Sequence, residues 1–365
     1  MRKHYLDNVR WVTVLVVVLY HVLYMYNGQG IPGVLGKITD VPVQYWDLYE
    51  YIVYPWIMPV LFMVSGICSR IYLDNHTEKE FLGSRTSKLL VPSTIGLFAF
   101  HFVQGYVNTA LSGILRAPDI PLPFRIAICI MSGVGVLWYI QLLWLYSVLL
   151  LLIRKTEKDR LWNACRKSGL AVLIALFVPV FGCAQILNTP IVVVYRVGLY
   201  LAVFLIGYFV LSHDEVIEVL KKYFFLFLAA ALATGVAFCV KYFGTVYSDV
   251  PVNRTVIYVA DAYFTSLAII GGFARFFDFS TPFTRWMTSR SFGLYVFHYL
   301  GISAFAVFVA ATGVLPAWAV YILSLVCGLV CGYGLYEVIS RIPGYRWAVL
   351  GIRGCDIIKQ KEIKQ

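Results

Sequence analysis

Charge is scarce in this sequence. Only 13% of its 365 residues are charged, and acidic residues are outnumbered by basic ones, 19 to 30. In contrast, 60% of the residues are hydrophobic, the mean hydropathy is +0.77, and apolar runs recur near the ~20 residues that cross a bilayer as a helix. No polar stretch is long enough to form a soluble core of its own. This composition excludes a soluble enzyme and predicts an all-α, polytopic membrane protein.

Linkers and low-complexity tracts are absent as well, so we expect one integral domain at 1–340 and a short basic cytoplasmic tail at 341–365. The eight cysteines contain no CxxC pair, and Cys327 and Cys331 lie one helical turn apart in an apolar run. They are expected to be packed thiols rather than disulfides or a metal site. The net charge of +11 is dispersed among short loops, which does not favour a nucleic-acid partner.

Three common catalytic motifs are missing. The sequence has no phosphate-binding loop of the GxxxxGK[ST] type, no HExxH and no GxSxG. Their absence argues against the usual nucleotide hydrolases, zinc proteases and serine hydrolases, and no metal is expected.

Hydropathy predicts ten membrane spans. Their approximate bounds are 9–27, 51–72, 88–108, 135–153, 169–187, 191–211, 222–241, 255–275, 291–311 and 317–339. The polar break at 188–190 is the weakest boundary, because a single long hairpin is an alternative there.

The distribution of basic residues predicts the orientation. With the N-terminus inside, 24 of the 30 lysines and arginines fall on the cytoplasmic side, including those of the tail. Because positive loops remain in the cytoplasm, both termini are expected there. The expected location is the plasma or inner membrane, most simply of a bacterial cell.

The first span carries an isolated imidazole, His21, eleven residues after Arg10. At about 100° and 1.5 Å per residue, both side chains share a helix face and differ in depth by roughly 16 Å. A titratable group at mid-membrane is costly, which favours a functional role. A neutral histidine bonded to a neighbouring helix is the alternative.

Two more histidines fall inside spans. His298 lies in the ninth span, seven residues after Ser291. His101 lies on one helix face with Gln104. Each is either a reactive group or a hydrogen-bonded packing residue, and packing is favoured for His101. The other three, His4, His76 and His213, are expected to be solvated.

Two acidic residues lie at the rims of spans. Asp261 enters from the outer end and is a candidate to orient a histidine or an acceptor. Glu337 lies near the inner end, four residues before Arg341, which favours a structural ion pair.

Basic residues also gather where the first spans meet the cytoplasm: Arg10, Arg85 and Lys88. A cavity mouth lined in this way attracts phosphorylated ligands. From charge alone, ordinary positive-inside bias explains them equally well.

The outer connection at 28–50 and the span after it are rich in aromatic residues. They are Tyr45, Trp46, Tyr49, Tyr51, Tyr54 and Trp56. An interfacial belt is the favoured interpretation, and rings that stack on sugars are the alternative.

The sequence resembles the acyltransferase-3 family of membrane O-acyltransferases. The likeness begins with Tyr5 to Arg10 and the apolar run to His21, and continues through Pro55 to Gly66. It extends through Arg85 to Pro92, Leu137 to Tyr139, and Ser291 to His298. The opening is most similar to the branch that includes glucan succinyltransferases.

This resemblance implies a membrane domain that takes an acyl group, acetyl or succinyl, from cytoplasmic acyl-CoA. The acceptor is a hydroxyl of an extracytoplasmic glycan or lipid-linked sugar. It implies that His21 is the base or is acylated transiently, that His298 and Asp261 orient the reacting groups, and that three cations bind the donor: Arg10, Arg85 and Lys88. The family motif has arginine at both ends, whereas Lys88 stands here and lacks the planar fork.

The alternative from another class is a proton-coupled transporter or flippase. Its relay would consist of His21, Asp261, His298 and Glu337. It requires flux that depends on a proton gradient and no acyl-CoA.

Overall fold

A computed structural model describes residues 3–31, 33–113, 119–189 and 195–353. These residues form helices and loops, and within them no strand occurs; a single antiparallel bridge joins Asn188 and Arg196. The predicted all-α class is confirmed.

The helices of the described residues are numbered in chain order. They are α1 (His4–Met25), α2 (Leu48–Leu73), α3 (Glu78–Arg85), α4 (Val91–Gly96), α5 (Phe102–Ser112), α6 (Leu122–Ser132), α7 (Trp138–Glu157), α8 (Arg160–Cys165), α9 (Leu170–Ala175), α10 (Phe177–Ala184), α11 (Val197–Phe209), α12 (Asp214–Lys222), α13 (Phe224–Tyr242), α14 (Val250–Asn253), α15 (Val256–Phe276), α16 (Pro282–Phe308), α17 (Ala317–Ile339) and α18 (Tyr345–Leu350). Two π-helices, π1 (Thr86–Leu90) and π2 (Leu97–His101), lie between α3 and α5.

Eight helical segments of the described chain are long and apolar enough to cross a membrane. They are His4–Met25, Tyr45–Leu73, Glu78–Ser112, Gly135–Glu157, Phe224–Tyr242, Val256–Phe276, Pro282–Thr312 and Ala317–Ile339. A ninth is possible if α11 and α12, which meet at 108°, form one broken span. A multi-pass helical protein is therefore supported.

Eight of the ten predicted spans correspond to these segments. The fifth, 169–187, consists of the short helices α9 and α10, and the sixth contains α11 after residues 190–194, which lie outside the described residues. The count of ten and the cytoplasmic position of the termini stay predictions.

The chain forms two compact units. The first comprises Met1–Tyr20, Tyr45–Phe81 and Leu145–Ser289, and the second comprises His21–Gln44, Leu82–Trp144 and Arg290–Gln365. Helix α1 contributes to both units, because the division falls between Tyr20 and His21.

Close packing of α2 against α11 forms the core of the first unit. A β-carbon at Gly66 would lie 2.1 Å from the Phe204 carbonyl oxygen, and one at Gly207 would lie 2.1 Å from that of Met63. Small residues at a crossing let two membrane helices approach to backbone contact, where dispersion forces act most strongly. The two glycines therefore fix the helix separation on which this unit depends.

Part of the aromatic cluster before and within α2 is core rather than belt. Tyr51 is fully buried, and the fully buried carboxylate of Glu50 accepts a hydrogen bond of 2.5 Å from the Tyr247 hydroxyl. Tyr45, in contrast, is 72% exposed. Only some of these rings are thus available for an interface or a sugar.

The expectation that His213 is solvated was wrong. This residue is buried, its Nε2 lies 2.9 Å from the Trp162 carbonyl oxygen, and its ring stacks on the Trp162 indole. His213 precedes a short amphipathic helix, α12, whose apolar face packs inward and brings the ring with it.

The second unit contains α5, the π-helices and α16 from Arg290 onward. In π1, the Val91 amide donates to the Thr86 carbonyl, five residues back. Pro92 follows immediately; it has no amide proton, and its ring would clash with the carbonyl four residues before it. The wider turn places Lys88, three residues after Arg85, on irregular helix, which often marks a functional position.

Candidate functional site

A pair of histidines in the second unit is the centre of the candidate site. His21 is half-buried near the end of α1, and His298 lies fully buried within α16. The apolar run of α1 is helical because a segment in the bilayer must satisfy its backbone hydrogen bonds internally. The same need for internal backbone hydrogen bonds accounts for the 27-residue length of α16.

The two imidazoles are hydrogen-bonded to each other. The Nδ1 of His21 lies 2.9 Å from the Nε2 of His298, and the ring centroids are 5.0 Å apart. On its other side, the Nδ1 of His298 lies 2.9 Å from two carbonyl oxygens of its own helix, those of Leu294 and Tyr295. A chain of contacts therefore runs from His21 through His298 to the backbone.

This chain fixes the protonation of the neutral pair. A carbonyl oxygen only accepts, so Nδ1 of His298 carries the proton and its Nε2 holds the lone pair. His21 must then donate from Nδ1, which leaves the lone pair of His21 on Nε2. The arrangement makes Nε2 of His21 the nitrogen able to take up a proton.

Aromatic rings surround the half-buried member of the pair. Tyr299, the next residue on α16, has its ring centroid 5.0 Å from that of His21, and Tyr24 packs edge-on at 6.3 Å. These contacts restrict rotation of the imidazole, so its orientation is set by packing as well as by the bond to His298.

A second polar chain lies farther along α16. The Gln104 side-chain amide donates to the hydroxyl of Ser303 at 2.9 Å and to the Asn108 side-chain oxygen at 2.7 Å. The Asn108 amide in turn donates to the carbonyl of Ser132. The spacing of Gln104 and Asn108, four residues apart, is that of one helical face, but the partner Ser303 is 199 residues away in the sequence and was missed.

His101 is a packing residue, which is the interpretation that the sequence favoured. The ring is buried, stacks on Phe297 with centroids 6.0 Å apart, and makes no hydrogen bond through Nε2. Gln104, which was expected on the same helix face as His101, donates to Asn108 and Ser303.

Residues 85–88, here called the basic segment, lie near the start of the part of the second unit that runs from Leu82 to Trp144. Arg85 ends α3 and is half-buried, while Lys88 lies on π1 and is exposed. Between them Ser87 is buried, and the indole of Trp144 donates to the hydroxyl of Thr86 at 3.1 Å. These anchors hold the turn so that its cations are presented from a fixed backbone.

The comparisons with known proteins decide the family. The sequence profile of the acyltransferase-3 family, described as an acyltransferase domain, matches residues 3–337. The chain belongs to this family. No curated protein and no solved structure matches it.

The resemblance seen in the sequence is thus confirmed at the level of the family, and the protein is a membrane acyltransferase in general terms. The match covers His21, His298, Arg85 and Lys88. Assignment to the glucan succinyltransferase branch stays a prediction.

Two predicted site residues of the acyltransferase belong to the first unit. Arg10 lies on α1, as expected, with its guanidinium 3.8 Å from the Asp7 carboxylate. Asp261 on α15 is buried, accepts a bond of 2.7 Å from the Thr265 hydroxyl and faces Gly235 of α13. Neither observation assigns these residues a partner in the reaction.

Glu337 forms ion pairs in the second unit. Its carboxylate lies 2.7 Å from Arg290 and 3.2 Å from Arg341. The i, i+4 pair with Arg341 was predicted, whereas the pair with Arg290 joins α17 to α16 and was not. The structural interpretation of Glu337 is the one that these contacts support.

Proposed function

We propose that this acyltransferase moves an acetyl or succinyl group from cytoplasmic acyl-CoA to a hydroxyl of an extracytoplasmic glycan or lipid-linked sugar. The bond between Nδ1 of His21 and Nε2 of His298 is the observation that carries this proposal. Because of this bond, Nε2 of His21 has the lone pair that a general base needs for acyl transfer. The succinyl alternative follows from the likeness of the opening to glucan succinyltransferases.

In the proposed reaction, Nε2 of His21 accepts the proton of the attacking hydroxyl. The hydroxyl oxygen bonds to the thioester carbonyl carbon, and the carbon–sulfur bond breaks. The proton then passes from His21 to the departing thiolate, so that CoA leaves as the free thiol. The histidine is unchanged after one turnover.

His298 is the positioning residue in this scheme. When His21 becomes doubly protonated, its Nδ1–H remains bonded to Nε2 of His298, and the carbonyls of Leu294 and Tyr295 keep His298 in the required tautomer. A buried partner that fixes tautomer and orientation is the role that the acid has in hydrolase triads. Here an imidazole takes that role without a carboxylate.

The donor phosphates are assigned to the basic segment. Arg85 and Lys88 would hold them through charge-assisted hydrogen bonds. Arg10 is kept as a further donor contact and Asp261 as an orienting residue, both on the basis of family resemblance alone.

A proton-coupled transporter would use His21, Asp261, His298 and Glu337 as a relay. The two arginine contacts of Glu337 favour the transferase, because they account for this carboxylate as a structural ion pair that joins α17 to α16.

The test is made with purified protein reconstituted in liposomes, radiolabelled acetyl-CoA or succinyl-CoA outside, and a glycan extract as acceptor. We expect label to appear in the glycan and free CoA to form in equal amount, with no requirement for a proton gradient. Flux of an unmodified substrate that depends on the gradient, without consumption of acyl-CoA, would support the transporter and reject the transferase.

A further inference from the structure

The segment after the last long helix contacts the basic segment of the second unit. Residues 345–353, here called the C-terminal clasp, comprise α18 and the three residues that follow it. They lie beyond residue 337, where the family match ends. Their contacts fall on residues 83–101, the stretch that contains Arg85, Lys88 and both π-helices.

Helix α18 docks at the far end of this stretch. The Tyr345 hydroxyl donates to the Ala99 carbonyl at 2.8 Å. A β-carbon at Gly96 would lie only 3.0 Å from the Ala348 carbonyl oxygen, so the two backbones are nearly in contact. The clasp is therefore packed on the helix that follows π1.

Gly351 brings the chain onto π1 itself. Its φ of +66° lies in the left-handed region, and a β-carbon there would fall 2.2 Å from the Ser87 carbonyl oxygen. The Ser87 hydroxyl donates to the Gly351 carbonyl at 3.2 Å. Only glycine satisfies both the conformation and the close approach.

Arg353 is bonded to the stretch that carries the predicted donor cations. Its Nε donates to the Ser87 hydroxyl at 3.0 Å, and its Nη2 reaches the Gly83 carbonyl at 3.4 Å. Ser87 precedes Lys88 directly and lies two residues after Arg85, so the Arg353 guanidinium is bonded to the turn between these two positions. Arg353 and Lys88 are both exposed.

Positive charges gathered around one turn attract an anion, because opposite charges attract strongly at short range. Lysine presents a compact charge, whereas a guanidinium presents a planar fork of donors that matches phosphate oxygens. Arg353 supplies such a fork on the turn where Lys88 supplies none.

We propose that Arg353 binds a phosphate group of the acyl donor together with Arg85 and Lys88. This inference rests on the proposed function, since it takes CoA as the donor. Ser87 and Gly351 hold the guanidinium in place, so the C-terminal clasp completes the donor site from outside the region that defines the family.

The experiment measures dissociation constants by calorimetry on the full-length protein in detergent. The ligands are CoA, 3′-dephospho-CoA and pantetheine, which lacks all phosphates. The variant is Arg353→Gln, and the matched control is Arg341→Gln, which removes another exposed arginine near the chain's end that pairs with Glu337 instead. A thermal melt of each variant verifies folding.

Arg353→Gln is expected to bind CoA about tenfold more weakly, which corresponds to about 1.4 kcal/mol. Pantetheine binding and the control variant should stay at the wild-type value. If the loss disappears with 3′-dephospho-CoA, the contact is to the 3′-phosphate; if it persists, the contact is to the diphosphate. Both results support the inference.

An unchanged CoA affinity in Arg353→Gln, with a wild type that binds CoA, would overturn the inference and leave the proposed function standing. An equal loss for CoA and pantetheine would also overturn it, since Arg353 would then only support the fold. Failure of the wild type to bind CoA at all would instead reject the proposed donor.

Discussion

Replacement of His298 by phenylalanine tests the histidine pair most informatively. Phenylalanine keeps a planar ring in the fully buried position on α16 but has no nitrogen. It therefore removes the acceptor that lies 2.9 Å from Nδ1 of His21, while most of the packing remains. The bond that selects the His21 tautomer with an unprotonated Nε2 is then lost.

The expected loss follows from that role. General acid–base catalysis contributes about 10²- to 10⁴-fold, and loss of the group that orients a catalytic imidazole in a serine protease costs about 10⁴-fold. We expect kcat of His298→Phe to fall by about 10² to 10⁴, or about 3 to 5 kcal/mol of barrier. The CoA dissociation constant should change by less than about twofold, since the proposal assigns the phosphates to residues 85–88.

His298→Gln is the matched variant. A glutamine amide can accept a bond from His21 through its oxygen and donate to a backbone carbonyl through its nitrogen, so part of the chain of contacts can be restored. We expect it to retain more activity than His298→Phe, by about tenfold.

The assay is release of free CoA from acyl-CoA in the presence of acceptor, on detergent-purified variants whose thermal melts match the wild type. Turnover of His298→Phe within about threefold of the wild type, at unchanged CoA affinity, would refute the positioning role. Equal activity of the two variants at a low level would show that the amide does not replace the imidazole.

Three further predictions concern the donor and the packing. Arg85→Gln is expected to weaken CoA binding about tenfold and leave pantetheine binding unchanged, measured by calorimetry; an unaltered constant would contradict its role. Gly207→Leu should lower the free energy of unfolding by about 3 kcal/mol or more, because even a β-carbon at this position would lie 2.1 Å from the Met63 carbonyl oxygen. A melting temperature equal to that of the wild type would contradict this. Gln104→Leu breaks the bond to Ser303 and should lower the free energy of unfolding by about 0.6 to 1.7 kcal/mol in steric-trapping measurements, whereas an increase would contradict the network.

Local patterns in the sequence were enough to find the long helices and one ion pair. The apolar run around His21 predicted α1, because the bilayer allows only a helix there. The spacing of Glu337 and Arg341 predicted their ion pair. Such features depend on residues within one or two turns of each other, which the sequence displays directly.

Contacts between distant segments could not be predicted in this way. His21 and His298 are 277 residues apart, and periodicity on one helix does not reveal which group on another faces it. The same applies to Gln104 with Ser303, and to Arg353 with Ser87. The π-helix around Lys88 was also missed, although Pro92 indicates an interruption of the regular helix at this point in the sequence.

Short helices set the other limit. Hydropathy averages over a membrane-length window and therefore merged α9 with α10 into one predicted span. The buried His213 was missed for a related reason: a polar loop residue can be carried inward by an amphipathic neighbour such as α12.

The most direct test of the central claim is the single-turnover rate of acyl transfer by His21→Gln with acyl-CoA already bound. The account predicts that the variant binds CoA like the wild type and transfers the acyl group at least about 10³-fold more slowly, because the nitrogen that accepts the hydroxyl proton is gone. Transfer at the wild-type rate would contradict the claim that Nε2 of His21 is the base.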